Sequence, residues 1–197
     1  MDRQEALELV NSWTTNKNLV KHMLAVEAEM RAIFKELKSE RVKGQDATLT
    51  DLTADDWGLL GLIHDADYEK WPDEHPRKTI EELEKRSAPD WLIHAVKAHA
   101  WKFNEMDVEP SNLPEWAIYT CDELSGFIIA CALVKPEKKL SSVTVDTVLH
   151  KWPQKSFAAG VHREQIELCE EKLGIKLADY IEICLKALQE ISDDLGL

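Results

Sequence analysis

Apolar residues recur every three or four positions along most of this chain, and no alternation of apolar and polar residues lasts more than a few positions. The clearest stretch, at 17–40, places one apolar face along a helix: Leu19, Met23, Val26, Met30, Ile33 and Leu37. The chain also contains only seven glycines, so few positions favour a turn over a helix. The pattern therefore predicts an all-α fold.

Capping residues and prolines divide this pattern into helices. Asp2 and Thr53 have side chains that favour a helix start, and two aspartates after Thr53 suit the positive end of a helix dipole. Pro76, Pro89 and Pro114 stand where a helix begins. The predicted helices cover 2–13, 16–40, 53–65, a segment opening at 76, 87–99, 113–134, 141 or 142 to 152, 162–173 and 177–195, with polar connections at 44–51, 66–74 and 105–112.

Length and composition predict a single-domain cytoplasmic protein. Its 197 residues, 44% of them hydrophobic, match one domain with a substantial core, and no break in composition divides it. We therefore predict a single domain over 1–197. No uninterrupted apolar stretch approaches the ~18 residues of a membrane span, since the longest covers 126–134. The charged opening MDRQEALELV lacks the apolar core of a signal peptide, so we predict a cytoplasmic protein with no membrane partner.

The net charge and the cysteines indicate which partners the protein can bind and whether it contains disulfides. A nucleic-acid backbone requires a basic surface, so the net charge of −13 predicts no binding to duplex nucleic acid. A small phosphorylated substrate remains compatible, because metal ions supply local positive charge. The four cysteines show no C-x-x-C spacing and lie in apolar helical contexts, so we predict reduced, buried thiols.

Polar residues in apolar surroundings are the first indication of a functional site. Asp122 lies within an apolar helix, where a carboxylate is costly to bury unless it is paired or bound to a cation. His64 and Asp65 follow the apolar run 57–63, and His22 lies on the long helix beside apolar residues. Taken singly, these residues have plain interpretations as an ion-pair partner, a loop cap or hydrogen-bonded core histidines. Taken together, imidazole and carboxylate ligands suit Mn, Fe, Ni, Co or Zn.

Three segments carry a resemblance to a known family. The HD superfamily of metal-dependent phosphohydrolases has a first-ligand helix, a His-Asp helix with its turn, and a last-aspartate helix, which LVKHMLAVEAEM, WGLLGLIHDADYEK and YTCDELSGFIIA resemble. The resemblance implies an HD-type helical bundle with a metal-binding core at about 18–140 and C-terminal helices at about 141–197. It also implies a metal-binding set with Asp65 in a catalytic role: His22, His64, Asp65 and Asp122. The implied reaction is hydrolysis of a small phosphorylated metabolite or nucleotide by a metal-activated water.

Two further segments imply a second metal. EHPRKTIEEL and IHAVKAHA resemble segments of two-metal HD proteins, which places His75 and His99 on a second ion with Asp65 between the two. The plain alternatives are an exposed His75 at a helix start and a His99 that contacts substrate. The two-metal cyclic-dinucleotide enzymes often carry a histidine where this chain has Ala100, and Gly-Lys where it has Asp67 and a tyrosine. These departures weigh against cyclic-dinucleotide hydrolysis. We predict one or two divalent transition-metal ions.

Several residues are candidates for contact with water or substrate. Asp67 and Glu69 follow the His-Asp pair closely enough to orient water or take a proton, and Asp67 is the second catalytic candidate; a loop cap is the alternative for both. The segment KWPQKSFAAGV is either a pocket-lining loop or a plain helix connection. The basic residues available to phosphate are Lys70, Lys97, Lys102, Lys155 and Arg163. The other histidines, His94, His150 and His162, are predicted to hold no metal.

Two other functions are alternatives to hydrolysis. Some HD-fold oxygenases resemble the chain at all six positions, so a di-iron oxygenase is the alternative reaction class. A regulatory HD module would need a broken ligand set, and none of the six positions is broken. The amphipathic helices predicted toward the C-terminal end offer a surface for a homodimer.

Overall fold

A computed structural model of the chain describes residues 1–40 and 51–197, and it contains ten α-helices and no strand within these ranges. The helices are α1 (Arg3–Trp13), α2 (Lys17–Glu40), α3 (Ala54–Ile63), α4 (Arg77–Lys85), α5 (Asp90–His99), α6 (Leu113–Leu133), α7 (Val145–Lys151), α8 (Arg163–Leu168), α9 (Leu177–Glu190) and α10 (Ser192–Leu195). The all-α prediction is confirmed. The predicted linker at 44–51 lies, except for its last residue, outside the described residues.

Several helix starts follow the predicted capping chemistry. The Asp2 side chain accepts a hydrogen bond from the backbone N–H of Glu5, and the Thr53 side chain accepts one from the backbone N–H of Asp56. In both cases the acidic residue returns a bond to the cap, which completes a capping box. These reciprocal bonds satisfy N–H groups that have no partner inside the helix.

Three predicted boundaries are wrong by a few residues. Pro76 precedes α4 as its cap residue instead of forming its first turn. Ser142 does not cap α7, because its hydroxyl donates to the carbonyl of Lys139 in a short 3₁₀ turn, Leu140–Ser142. Thr144 is the cap, with its side chain accepting from the N–H of Thr147. The predicted last helix is divided at Ile191 into α9 and α10.

Helix α2 packs against α3, α6, α9 and α10, and one hydrophobic core extends from Ala6 in α1 to Leu195 in α10. Helices α2 and α3 approach each other closely at Gly61. A β-carbon at Gly61 would lie 2.7 Å from the carbonyl oxygen of Val26 and 2.8 Å from the backbone nitrogen of Glu27. Only glycine therefore allows the two helices this separation, which fixes the place of the His-Asp pair that follows α3.

Helix α6 is long and apolar enough to cross a membrane by length and composition alone. No uninterrupted apolar run in the sequence reaches that length, because scattered polar residues such as Asp122 divide this helix. In the fold, 67% of the apolar window is buried inside the protein. A helix apolar on most of its faces and covered by neighbouring helices is typical of a protein core.

Two kinds of buried titratable group lie within this core. The four cysteines are free and buried, as predicted. Glu29 on α2 is fully buried, and neither of its carboxyl oxygens has a hydrogen-bond partner among the described residues. Burial and then the nearby charge of Asp122 hold the pKa of Glu29 well above its ordinary value. The core therefore holds this side chain as a neutral carboxylic acid.

Candidate metal centre

The structure brings the six predicted metal-binding residues together in one place. Helices α2, α5 and α6 each supply one residue, and the other three come from the end of α3 and the turns that follow it. In chain order the six are His22, His64, Asp65, His75, His99 and Asp122. They form two groups that share Asp65, which we call the first subsite (His22, His64, Asp65 and Asp122) and the second subsite (Asp65, His75 and His99).

In the first subsite, two imidazoles face two carboxylates. The Nε2 atom of His22 lies 2.9 Å from Oδ1 of Asp122, and Nε2 of His64 lies 3.5 Å from the same oxygen. Oδ2 of Asp65 lies 3.7 Å from His22 Nε2 and 3.6 Å from His64 Nε2. Four potential ligand atoms therefore converge on one point, as a transition-metal site requires.

In the second subsite, the other oxygen of Asp65 faces two more imidazoles. Oδ1 of Asp65 lies 3.3 Å from Nε2 of His75 and 3.6 Å from Nε2 of His99. The two Nε2 atoms lie 3.2 Å from each other. Asp65 thus presents one oxygen to each subsite, which is the geometry of a bridging carboxylate.

Three of the four histidines are oriented through Nδ1. His64 donates its Nδ1–H to the carbonyl of Gly61 at 2.8 Å, and His99 donates to the carbonyl of Val96 at 2.5 Å. His75 donates to Oδ1 of Asp67 at 2.7 Å. With the proton on Nδ1, a neutral imidazole directs the lone pair of Nε2 into the site, as a metal ligand must.

Two observations show that these residues fit a cation. Nε2 of His64 is fully buried and has no hydrogen-bond partner among the described residues, which is unusual for a buried polar atom. In the second subsite, the lone pairs of His75 and His99 face each other beside an Asp65 oxygen. These electron-rich atoms repel one another, and a cation placed among them would attract all three.

The electrostatics of the first subsite also favour positive charge. Burial alone lowers the pKa of His64, but the charges of Asp65 and Asp122 outweigh it and raise this pKa to about 9. Burial likewise opposes ionisation of Asp65, yet the neighbouring His64, His99 and His75 bring the pKa of Asp65 below its ordinary value. The two carboxylates are therefore ionised, and they attract a proton or a metal ion.

Asp67, the second catalytic candidate, lies buried beside His75. Its side chain is completely buried, Oδ1 accepts from His75 Nδ1, and Oδ2 accepts from the backbone N–H of Thr79 at 2.9 Å. Both oxygens are therefore engaged away from water. In this arrangement Asp67 fixes the orientation of His75, and the catalytic role of Asp67 stays a prediction.

Glu69 is the other acidic candidate after the His-Asp pair, and it acts as a cap. Its carboxylate accepts hydrogen bonds from the backbone N–H groups of Thr15 and Asn16 at 2.9 Å and 2.8 Å, and from the Thr15 hydroxyl. These bonds lower the pKa of Glu69 and join the turn after α3 to the start of α2. The cap, which was the alternative interpretation, describes this residue.

We expect Asp67→Asn to weaken the affinity of the second subsite for a metal ion by ~10–100-fold, the usual effect of replacing a group that orients a metal ligand. The new amide can present its N–H to His75 Nδ1, which favours the wrong tautomer of that ring. Titration of the protein with Mn²⁺ or Zn²⁺ measures the effect, and Asp73→Asn, an exposed aspartate in the same connection, is the control. Equal affinities in the two variants would contradict this role of Asp67.

A cavity of about 810 Å³ opens onto both subsites. Asp65, His75, His99 and Asp122 lie at its surface. The other walls combine aromatic and polar side chains: Tyr68, Trp101, Lys102, Phe103, Tyr119, Glu123, His162, Glu164 and Gln165. The cavity is large enough for a small organic substrate.

Most of the basic residues predicted to meet phosphate are placed elsewhere. Lys102 lines the cavity, with its ammonium 3.9 Å from the centre of the Trp101 ring. Arg163 instead donates to the backbone carbonyls of Trp152, Gln154 and Phe157. Lys70, Lys97 and Lys155 are not among the residues that line the cavity. The segment KWPQKSFAAGV reaches the cavity through Gly160, its second-to-last residue, so the C-terminal end of the segment lines the pocket.

The histidines predicted to hold no metal fall into different settings. His94 is half exposed and pairs with Glu115 at 2.7 Å, away from the subsites. His150 is exposed on α7. His162 lines the cavity and pairs with Glu123, a placement that the sequence analysis missed. Glu123 could have been noticed because it directly follows the predicted metal ligand Asp122. No sequence spacing indicated His162 as its partner.

Comparison of the chain with protein-family models, with curated proteins and with solved structures gives no match.

Proposed function

We propose that this chain is a metal-dependent phosphohydrolase of the HD type that acts on a small phosphorylated metabolite or nucleotide. The observation that carries the proposal is Asp65, whose two oxygens face two separate groups of imidazole nitrogens at 3.3–3.7 Å. The order of the six residues along the chain matches the order in the HD resemblance. The adjoining cavity of about 810 Å³ gives a small substrate access to both subsites.

Each subsite would bind one metal ion of the proposed site. His22, His64, Asp65 and Asp122 would hold one divalent ion, and Asp65, His75 and His99 would hold a second. Bound ions of this kind polarise a phosphoryl oxygen and lower the pKa of water. The protein itself fixes the imidazoles through Nδ1, keeps the carboxylates ionised, and places aromatic walls beside the space for the substrate.

Metal content and hydrolysis test the proposal together. Protein purified without added metal is expected to contain two transition-metal ions per chain, and His75→Ala or His99→Ala to contain one, because each variant removes one of the three ligands of the second subsite. His150→Ala, on the exposed surface of α7, is the control and should keep two. Elemental analysis gives the stoichiometry.

The same preparations decide the reaction class. Hydrolysis of a panel of phosphomonoesters should stop after exhaustive chelation and return with Mn²⁺, Co²⁺ or Ni²⁺. Undiminished hydrolysis after chelation would overturn the proposal. Iron-dependent consumption of dioxygen without hydrolysis would favour the di-iron oxygenase, which the same ligand set can hold.

A further inference from the structure

A histidine–carboxylate pair lies in the wall of the cavity and takes no part in the two subsites. Nδ1 of His162 donates to Oε1 of Glu123 at 2.8 Å, and the backbone N–H of His162 donates to Oε2 at 3.0 Å. Glu123 therefore uses both oxygens on one partner. The His162 side chain is 65% exposed, and its Nε2 has no partner among the described residues. Both residues line the cavity that also exposes Asp65 and Asp122.

The surrounding chain is built to hold His162 in this place. The guanidinium of the next residue, Arg163, donates hydrogen bonds to four backbone carbonyls of the preceding segment and stacks 4.8 Å from the centre of the Phe127 ring. Gln165 donates from its side-chain amide to the carbonyl of Tyr119. Since Phe127 and Tyr119 belong to α6, these contacts attach the loop and α8 to the helix that carries Glu123.

The charges around His162 favour a proton on its imidazole. The hydrogen bond that His162 donates to Glu123 is the largest cause that raises the pKa of His162, followed by the charge of Glu123; burial opposes them, and the charge of Glu164 adds a smaller increase. The other titratable residues that line the cavity are Asp65, Tyr68, His75, His99, Lys102, Tyr119, Asp122 and Glu164. Glu123 thus favours the protonated ring, which carries an N–H at Nε2, and fixes its orientation.

We propose that His162 is the general acid of the reaction, protonating the leaving-group oxygen, and that Glu123 is its positioning residue. This inference rests on the proposed hydrolase function. A bond forms between the oxygen of the attacking water and phosphorus, the bond from phosphorus to the ester oxygen breaks, and its electron pair stays on that oxygen. The ester oxygen takes the Nε2 proton of His162 and leaves as an alcohol. The water loses a proton to solvent, from which the imidazole regains one, so the net reaction converts phosphomonoester and water to alcohol and inorganic phosphate.

Leaving groups of different acidity test the assignment. An alkyl leaving group needs a proton, whereas p-nitrophenolate leaves readily without one. We expect His162→Gln to lower kcat/KM by at least ~100-fold for an alkyl phosphomonoester such as glycerol phosphate, the usual contribution of general acid catalysis. The loss for p-nitrophenyl phosphate should stay within about threefold, because its departure does not depend on the acid. His150→Gln is the matched control and should leave both substrates unaffected.

Two measurements separate catalysis from structure. The metal content of His162→Gln should equal that of the wild type. Imidazole ¹⁵N NMR should show the pKa of His162 above the ordinary value of ~6.5 in the wild type and lower in Glu123→Gln. Equal losses on both substrates, or no loss on either, would overturn the assignment of His162 alone. A wild-type protein that hydrolyses neither substrate would overturn the proposed function and this inference with it.

Discussion

Asp65→Ala is expected to abolish hydrolysis, with a loss greater than the ~100-fold typical of residues that merely orient a ligand. The reason is that Asp65 is the one residue shared by both subsites, with Oδ2 near His22 and His64 and Oδ1 near His75 and His99. Its loss removes a ligand from each subsite at once. When the metal-free forms are compared, the free energy of unfolding should change by no more than about 2 kcal/mol, because the apolar core does not depend on this side chain.

Thermal unfolding followed by circular dichroism, together with metal analysis and phosphomonoester hydrolysis, checks this expectation. Asp73→Ala is the matched control, since Asp73 is an exposed aspartate a short distance along the same connection. It should keep wild-type activity and metal content. Activity in Asp65→Ala comparable with that of Asp73→Ala would refute the role of the shared carboxylate.

Gly61→Ala is expected to have the largest effect on stability, a loss of about 1–3 kcal/mol or more from overpacking. The added β-carbon would lie 2.7 Å from the carbonyl oxygen of Val26 and 2.8 Å from the nitrogen of Glu27, both backbone atoms of α2. Neither can move without moving the helix, so α3 must shift away from α2. Since His64 donates to the carbonyl of Gly61, the shift also displaces the first subsite and weakens metal binding.

Gly126→Ala provides the control for this substitution. Gly126 lies within α6, and the nearest atom to its added β-carbon is a methyl carbon of Val161 at 4.0 Å. Alanine there should be neutral or stabilise by up to about 1 kcal/mol, because it favours the helix more than glycine does. Chemical denaturation measures both variants, and equal midpoints for Gly61→Ala and the wild type would contradict the argument.

The sequence predicted the helices where local chemistry determines them. Asp2 and Thr53 begin helices as expected because a capping side chain and its N–H partner lie only three residues apart. Three hydroxyl residues, Ser141, Ser142 and Thr144, lie close together before α7, and the predicted cap, Ser141 or Ser142, was wrong. The choice between them depends on which residue takes the extended cap conformation, and that depends on packing beyond the local segment.

The sequence predicted which residues form the candidate site much better than it predicted the contacts of their neighbours. The six residues that converge were identified from residue type, apolar surroundings and a family order. The hydrogen bond of Asp67 was not, because the direction of a carboxylate in a turn depends on the partner that the fold supplies, here His75. The pair of Glu123 and His162 joins residues 39 positions apart, and helical periodicity carries no information on such a pairing.

The six converging residues come from α2, the region from the end of α3 to the start of α4, α5 and α6. In the unfolded chain, long flexible segments separate them, so no comparable cluster exists there. A cation that binds the cluster therefore binds the native state almost exclusively, and it adds to the free energy of unfolding by mass action. Metal supply would then control how long the protein survives as well as what it catalyses, with the metal-free chain opening more often and meeting proteases sooner.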